Sequence, residues 1–261
     1  MTNDSDGSIS SYNSSDEDDS DIDSMMSAEE MKIIINDFPV NVICLEMMDN
    51  TFDSLLTSGQ GISISEWKSF IFQILIILIT YQKLFYFTHN DLHTNNIMYK
   101  KTDKKYLIYY YNKKYYKVPT FGKIYKIIDF GRAIYKYKNN LICSDSFYSD
   151  GDAATQYNMG PFFNPKKTEI KPNFSFDLCR LACSLYDHFV PSIEFKNKIK
   201  HPIGKLIIEW CKDDNGRNIL YKKNGDERYP DFKLYKMITR KVHKHIPEQE
   251  LNREIFNEFI V

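Results

Sequence analysis

An α+β fold with a dominant helical part is what this sequence predicts, and three observations carry that prediction. Residues 70–86 are apolar apart from Gln73, Thr80, Gln82 and Lys83, the pattern of a helix buried on nearly every side. Residues 106–111 and 115–118 are short tyrosine-rich runs separated by Asn112-Lys113-Lys114, which reads as strand, turn and strand. Helical spacing returns in the last third. There 203–210 is one apolar run, Asn224-Gly225-Asp226 makes a turn, and Leu234, Ile238 and Val242 mark one helix face beyond Tyr229-Pro230.

From the N-terminus onward, residues 1–30 hold ten acids and no Lys or Arg, with few apolar residues, so a disordered acidic tail is expected there. The remainder carries 34 basic against 25 acidic residues, so the near-neutral total hides a basic domain. Residues 32–35 and 40–45, with Asn36-Asp37 between them, make at most one hairpin, and Val42-Ile43-Cys44-Leu45 reads as a strand entering a polar break at Glu46. Ser63-Ile64-Ser65-Glu66-Trp67 reads as a helix start. The unbroken apolar stretch 74–79 is far below the ~20 residues a bilayer needs, so a core helix and no membrane partner are expected.

Five cysteines, Cys44, Cys143, Cys179, Cys183 and Cys211, show no C-x-x-C and no secretion signal precedes them. A reduced, intracellular protein is expected, with Cys179 and Cys183 packed in a core. His243 and His245 lack a recognisable zinc spacing.

The chemistry lies in two stretches, His89-Asn90-Asp91-Leu92-His93-Thr94-Asn95-Asn96 and Ile127-Ile128-Asp129-Phe130-Gly131. In the first, a carboxylate is placed to accept or orient an attacking hydroxyl, and an amide oxygen five positions later suits a magnesium ion. The second supplies another carboxylate for a metal site. Mg²⁺ is a hard, oxygen-seeking ion, so Asp and Asn are the residue types such a site needs. A lone Asp-Phe-Gly is usually only a strand ending in a glycine turn; the pair in this order is a much stronger signal.

On these motifs the chain resembles the eukaryotic-type protein kinase superfamily, most closely the Ser/Thr-kinase-like proteins of giant DNA viruses, over roughly residues 38–260. The resemblance implies a protein-kinase-like fold, mainly the helical large lobe, with a small-lobe remnant and hinge at 31–48, the large lobe at 49–261 and an inserted hairpin near 104–120. It implies ATP and Mg²⁺ as cofactors and a protein hydroxyl as substrate. Asp91 would be the catalytic base and Asn96 and Asp129 the metal ligands. His93 would stand at the catalytic-loop lysine position, able to donate to the γ-phosphate. The Glu46 carbonyl and Met48 amide would read adenine, Asp53 would reach the ribose and Met98 would floor the ring. Asp177, in Phe176-Asp177-Leu178-Cys179-Arg180-Leu181, resembles the buried acid that braces the catalytic loop. Simpler readings stand beside these: a helix N-terminal acid for Asp177, a strand residue for Glu46, a helix cap for Asp53 and a hydrogen-bonded loop histidine for His93.

The chain also departs from the family. No G-x-G-x-x-G loop, third-strand lysine or helix C glutamate is visible ahead of Glu46, and Lys32 lies only fourteen residues before it. A truncated gene product, or half of a split gene with a separate small-lobe partner, is expected. Asn90 replaces the usual Arg, so the clamp on a phosphorylated activation loop is missing. Phe162-Phe163-Asn164-Pro165 is the nearest approach to an A-P-E triplet. The Tyr- and Lys-rich hairpin reads as an edge hairpin before a nucleic-acid surface. A Ser/Thr protein kinase is thus the leading expectation, with a noncatalytic pseudokinase-like interaction module and a small-molecule phosphotransferase as alternatives. Ser14 and Ser15 against Asp16-Glu17-Asp18-Asp19 suggest an acid-directed site or an acidic tail folding onto a basic cleft.

Overall fold

The computed structural model describes residue 37, residues 39–40 and residues 42–261. The acidic tail and the strand expected at 32–35 lie outside the described residues. The chain divides between Leu45 and Glu46 into two compact units. In the first, the strand expected over 42–45 is not formed, and Val42, Ile43 and Leu45 are exposed. Apolar alternation alone does not make a strand, because its backbone groups need a neighbouring strand to pair with. Among the described residues none pairs with this segment.

The second unit mixes α and β around one long helix. Asn50–Thr51 (β1) leads into the short helix Phe52–Thr57 (α1), and Ile64–Phe85 (α2) follows. Ser63 caps α2 by accepting the Glu66 N–H at 3.2 Å, as the Ser-x-x-Glu spacing predicts. The helix is buried along most of its length, with Phe70, Ile71, Phe72, Ile74, Leu75 and Leu78 fully covered. At 22 residues it is, by length and composition alone, long and apolar enough to cross a membrane. Its packing inside the domain accounts for that apolarity instead, since each buried Leu, Ile or Phe contributes about 1.5–3 kcal/mol. Phe52 stacks on Phe70 at 3.7 Å, and Tyr125 meets both rings edge-on, closing α1 onto α2.

Three small antiparallel sheets follow. The strands Ile97–Lys101 (β2) and Lys123–Ile127 (β5) pair with β1 in the order β1-β2-β5. Between them, Tyr106–Tyr111 (β3) and Lys114–Pro119 (β4) form the hairpin read from the sequence, turning through Asn112 and Lys113 at φ 47° and 61°. The third sheet pairs Tyr135–Tyr137 (β6) with Asn140–Ile142 (β7).

The helices Phe176–Phe189 (α3), Pro202–Trp210 (α4), Lys233–Lys241 (α5) and Pro247–Glu250 (α6) complete the core. Cys179, Cys183 and Cys211 are free and buried there, between α3 and the end of α4. A second, smaller cluster of Ile134, Phe147, Ala153, Tyr157 and Met159 orders the long segment between β5 and α3.

Candidate active site

Asp177 organises the site from beneath. It sits in the first turn of α3 with no exposure, and its carboxylate accepts the backbone N–H groups of His89 at 2.9 Å and Asn90 at 3.0 Å. Burial raises its pKa, while the two backbone donors act the other way. A helix-start acid that served only the macrodipole would have no reason to lose its water, so the loop-bracing geometry is the one present.

The loop above it is cross-tied. His89 Nε2–H donates to the Ile128 carbonyl at 2.9 Å, leaving Nδ1 to accept the Asp91 N–H at 3.3 Å. Ile128 N–H in turn donates to the Asn96 carbonyl at 3.0 Å. These bonds join the two sequence stretches, and the Phe130 ring, 5.6 Å from His89 and 5.8 Å from Phe87, adds an apolar contact. Asn90 takes a left-handed φ of 66° that asparagine tolerates. It is fully buried, donates to the carbonyls of Thr88 and Arg132, and accepts the Tyr157 hydroxyl. Asn90 thus holds the following segment through a phenol.

Asn96 donates Nδ2–H to the Asp91 carbonyl at 3.0 Å, which commits the amide nitrogen and leaves Oδ1 as an oxygen donor. Asp129 is exposed at φ 62°, and its Oδ1 accepts the Gly131 N–H at 3.3 Å. The second oxygen of Asp129 and Oδ1 of Asn96 fit the hard-oxygen preference of Mg²⁺. His93, half-buried, places Nε2 3.9 Å from Asp91 Oδ1, and Asp129 also acts electrostatically on it. Burial first, and the Arg180 charge second, lower its pKa, so His93 faces the site as a neutral N–H donor near neutrality.

Of the residues expected to receive a nucleotide, Met98 lies on β2, Glu46 and Met48 precede β1, and Asp53 is in α1. Met98 pairs with Thr51 on one side and Lys126 on the other, on the sheet face opposite the buried Ile97 and Ile127. Glu46 is pinned to that face by Lys126 and, at 3.4 Å, by Lys100. These two ammonium groups hold the Glu46 carboxyl below its usual range. Met48 is half-buried beside them, and Lys100 Nζ donates to the neighbouring Met47 carbonyl at 3.2 Å. Asp53 lies in the first turn of α1 and accepts the Thr94 hydroxyl at 2.7 Å, tying α1 to the loop that carries Asp91.

Sequence reasoning missed the two groups that reach Asp91 most directly. Tyr235, from α5, donates its hydroxyl to Asp91 Oδ1 at 2.6 Å, and Arg180, from α3, places Nε 3.8 Å from the same oxygen. Tyr235 is 144 positions from Asp91 and stands in no local motif; only Arg180, three residues after Asp177, carried a sequence hint. No cluster of three or more His, Cys, Asp or Glu residues placed for a metal ion occurs among the described residues.

No protein-family model matches the chain. Among curated proteins, a 102-residue stretch is 33% identical to the serine/threonine-protein kinase haspin of Mus musculus, covering 39% of this chain and 12% of that protein. The haspin of Bos taurus matches to the same extent. A probable serine/threonine-protein kinase of Dictyostelium discoideum is 36% identical over 103 residues, covering 34% of this chain and 8% of that protein. The chain thus spans only a small part of each relative's length. Over about a third of its own length it is similar to serine/threonine protein kinases.

Proposed function

We propose that this chain is a serine/threonine protein-kinase homologue that binds ATP with Mg²⁺ and transfers the γ-phosphate to a protein hydroxyl. The observation that carries this reading is the cross-tied pair of loops. Asn96 donates to the Asp91 carbonyl and accepts from Ile128, so base, amide ligand and Asp129 are preorganised on one frame. The partial similarity to serine/threonine protein kinases supports the same reading.

Asp91 would accept the hydrogen of the acceptor hydroxyl and aim its oxygen. Asn96 Oδ1 and Asp129 would hold magnesium, which neutralises charge on the phosphates when bound. His93, as a neutral donor, would hydrogen-bond a phosphate oxygen without contributing a full charge. On the adenine side, the main chain at Glu46 and Met48 would meet the base, Met98 would lie beneath it and Asp53 would stand at the ribose end.

One observation favours a second reading, a noncatalytic interaction module. Val42, Ile43 and Leu45, where a hinge strand was expected, are exposed and in no sheet. Transfer of radiolabelled phosphate from ATP to dephosphorylated casein, compared between the natural chain and Asp91→Asn, separates the two. A kinase loses transfer in the variant by about 10²-fold or more, whereas a noncatalytic module shows no Asp91-dependent transfer.

A further inference from the structure

We infer that Tyr235 is a positioning residue for Asp91, and that Arg180, Tyr235 and Asp91 form a relay holding one carboxylate oxygen so that the other faces the acceptor hydroxyl. This rests on Asp91 being the acceptor-orienting group of the function proposed above. Arg180 Nε–H donates to the Tyr235 hydroxyl oxygen at 2.9 Å, and that hydroxyl donates to Asp91 Oδ1 at 2.6 Å. A donor on the phenol oxygen strengthens the hydrogen bond the phenol itself gives, so the short second bond is the expected consequence of the first.

The ring is fixed rather than free to swing. Phe232 stacks on it at 5.0 Å and 14°, and the Arg180 guanidinium lies 5.0 Å from its centre. Arg132, the residue after Gly131, lies 5.7 Å away on the same aromatic pair. Behind it, α5 is anchored by buried Ile238 and by Thr239, whose hydroxyl accepts the Gln156 Nε2–H at 3.3 Å and whose carbonyl accepts the Asn173 Nδ2–H at 3.3 Å. A mobile plug over the base would need the opposite, a ring with few contacts.

Interposing a phenol also solves an electrostatic problem. A direct Arg180–Asp91 fork would engage both carboxylate oxygens and leave none for an acceptor. With Tyr235 between them the guanidinium stays 3.8 Å from Oδ1, and orientation is fixed through a neutral group. The other charged or titratable groups around Asp91 are accounted for. His93 stands 3.9 Å away, His89 binds the Asp91 N–H, and Asp177 is turned beneath the loop onto the backbone of His89 and Asn90.

The test is steady-state transfer from Mg·ATP to dephosphorylated casein by the full chain and its Tyr235→Phe, Arg180→Met and doubly substituted forms, with Asp91→Asn as reference and thermal melts as a folding check. Tyr235→Phe keeps the stacked ring and removes only the hydroxyl. Its kcat is expected to fall about tenfold with KM for ATP unchanged, and the double variant to be no slower than the slower single variant, as for residues acting through one relay. Unchanged kcat in a folded Tyr235→Phe chain, or losses that multiply in the double variant, overturn the relay while Asp91-dependent transfer keeps the proposed function standing. Absence of Asp91-dependent transfer in the natural chain overturns the proposed function, and the relay with it.

Discussion

The Asp177 carboxylate accepts the backbone N–H of His89 across 88 positions of sequence, at 2.9 Å and out of contact with water. It takes the Asn90 N–H as well, so one side chain satisfies two adjacent buried donors. Asp177→Ala leaves both unpaired and is expected to cost about 3 kcal/mol or more. Asp177→Asn keeps one acceptor oxygen and is expected to cost less. Denaturant melts of the two variants check the order, and a loss in Asp177→Ala below that in Asp177→Asn would contradict the bracing role.

Tyr157 and Asn90 make the corresponding tie to the segment between β5 and α3. Tyr157→Phe keeps the ring in its cluster with Phe147 and Met159 but leaves the Asn90 oxygen without its donor. A loss of about 1–2 kcal/mol is expected. Limited proteolysis is expected to cut residues 140–170 faster in the variant, and an unchanged cleavage rate would show that the small cluster suffices to hold the segment.

Acid is expected to weaken the fold through His188 and His201. Burial lowers the pKa of both, and the His188 charge lowers that of His201 further. A folded-state value below the unfolded one means that the unfolded chain binds protons first, so stability is complete above the ordinary histidine range and is lost as pH falls through it. His201 adds a specific cause: its Nδ1 accepts the Gly204 N–H at 3.3 Å to cap α4, and protonation removes that acceptor. Tm is expected to fall between pH 7.5 and 5.5, with a shallower fall in His201→Asn, which retains a capping oxygen. Equal slopes in the two chains would assign the acid sensitivity elsewhere.

The tie within the loop from His89 to Asn96 was legible because it runs over a fixed short spacing. Asp91 and Asn96 sit five positions apart, and the Asn96–Asp91 bond uses that interval directly. Long apolar helices and the β3–β4 hairpin were legible because burial and turn chemistry leave local patterns. Tyr235 was not, since its partner is 144 positions away and its own neighbourhood reads as an ordinary amphipathic helix. The strand expected at 42–45 failed for a related reason: apolar alternation says what a strand would bury, and nothing about which strand would pair with it. Glu46 was legible as the end of that apolar run, but its pairing with Lys126 and Lys100 depends on the register of β2 and β5, which no single segment encodes.

The most direct test of a working nucleotide site is calorimetric titration of the full chain with ATP, with and without Mg²⁺, beside Asp129→Asn. Magnesium-dependent binding in the natural chain, abolished in Asp129→Asn, is the predicted result. No binding at millimolar ATP, or binding indifferent to both magnesium and Asp129, would contradict the proposal that this chain handles nucleotide on its own.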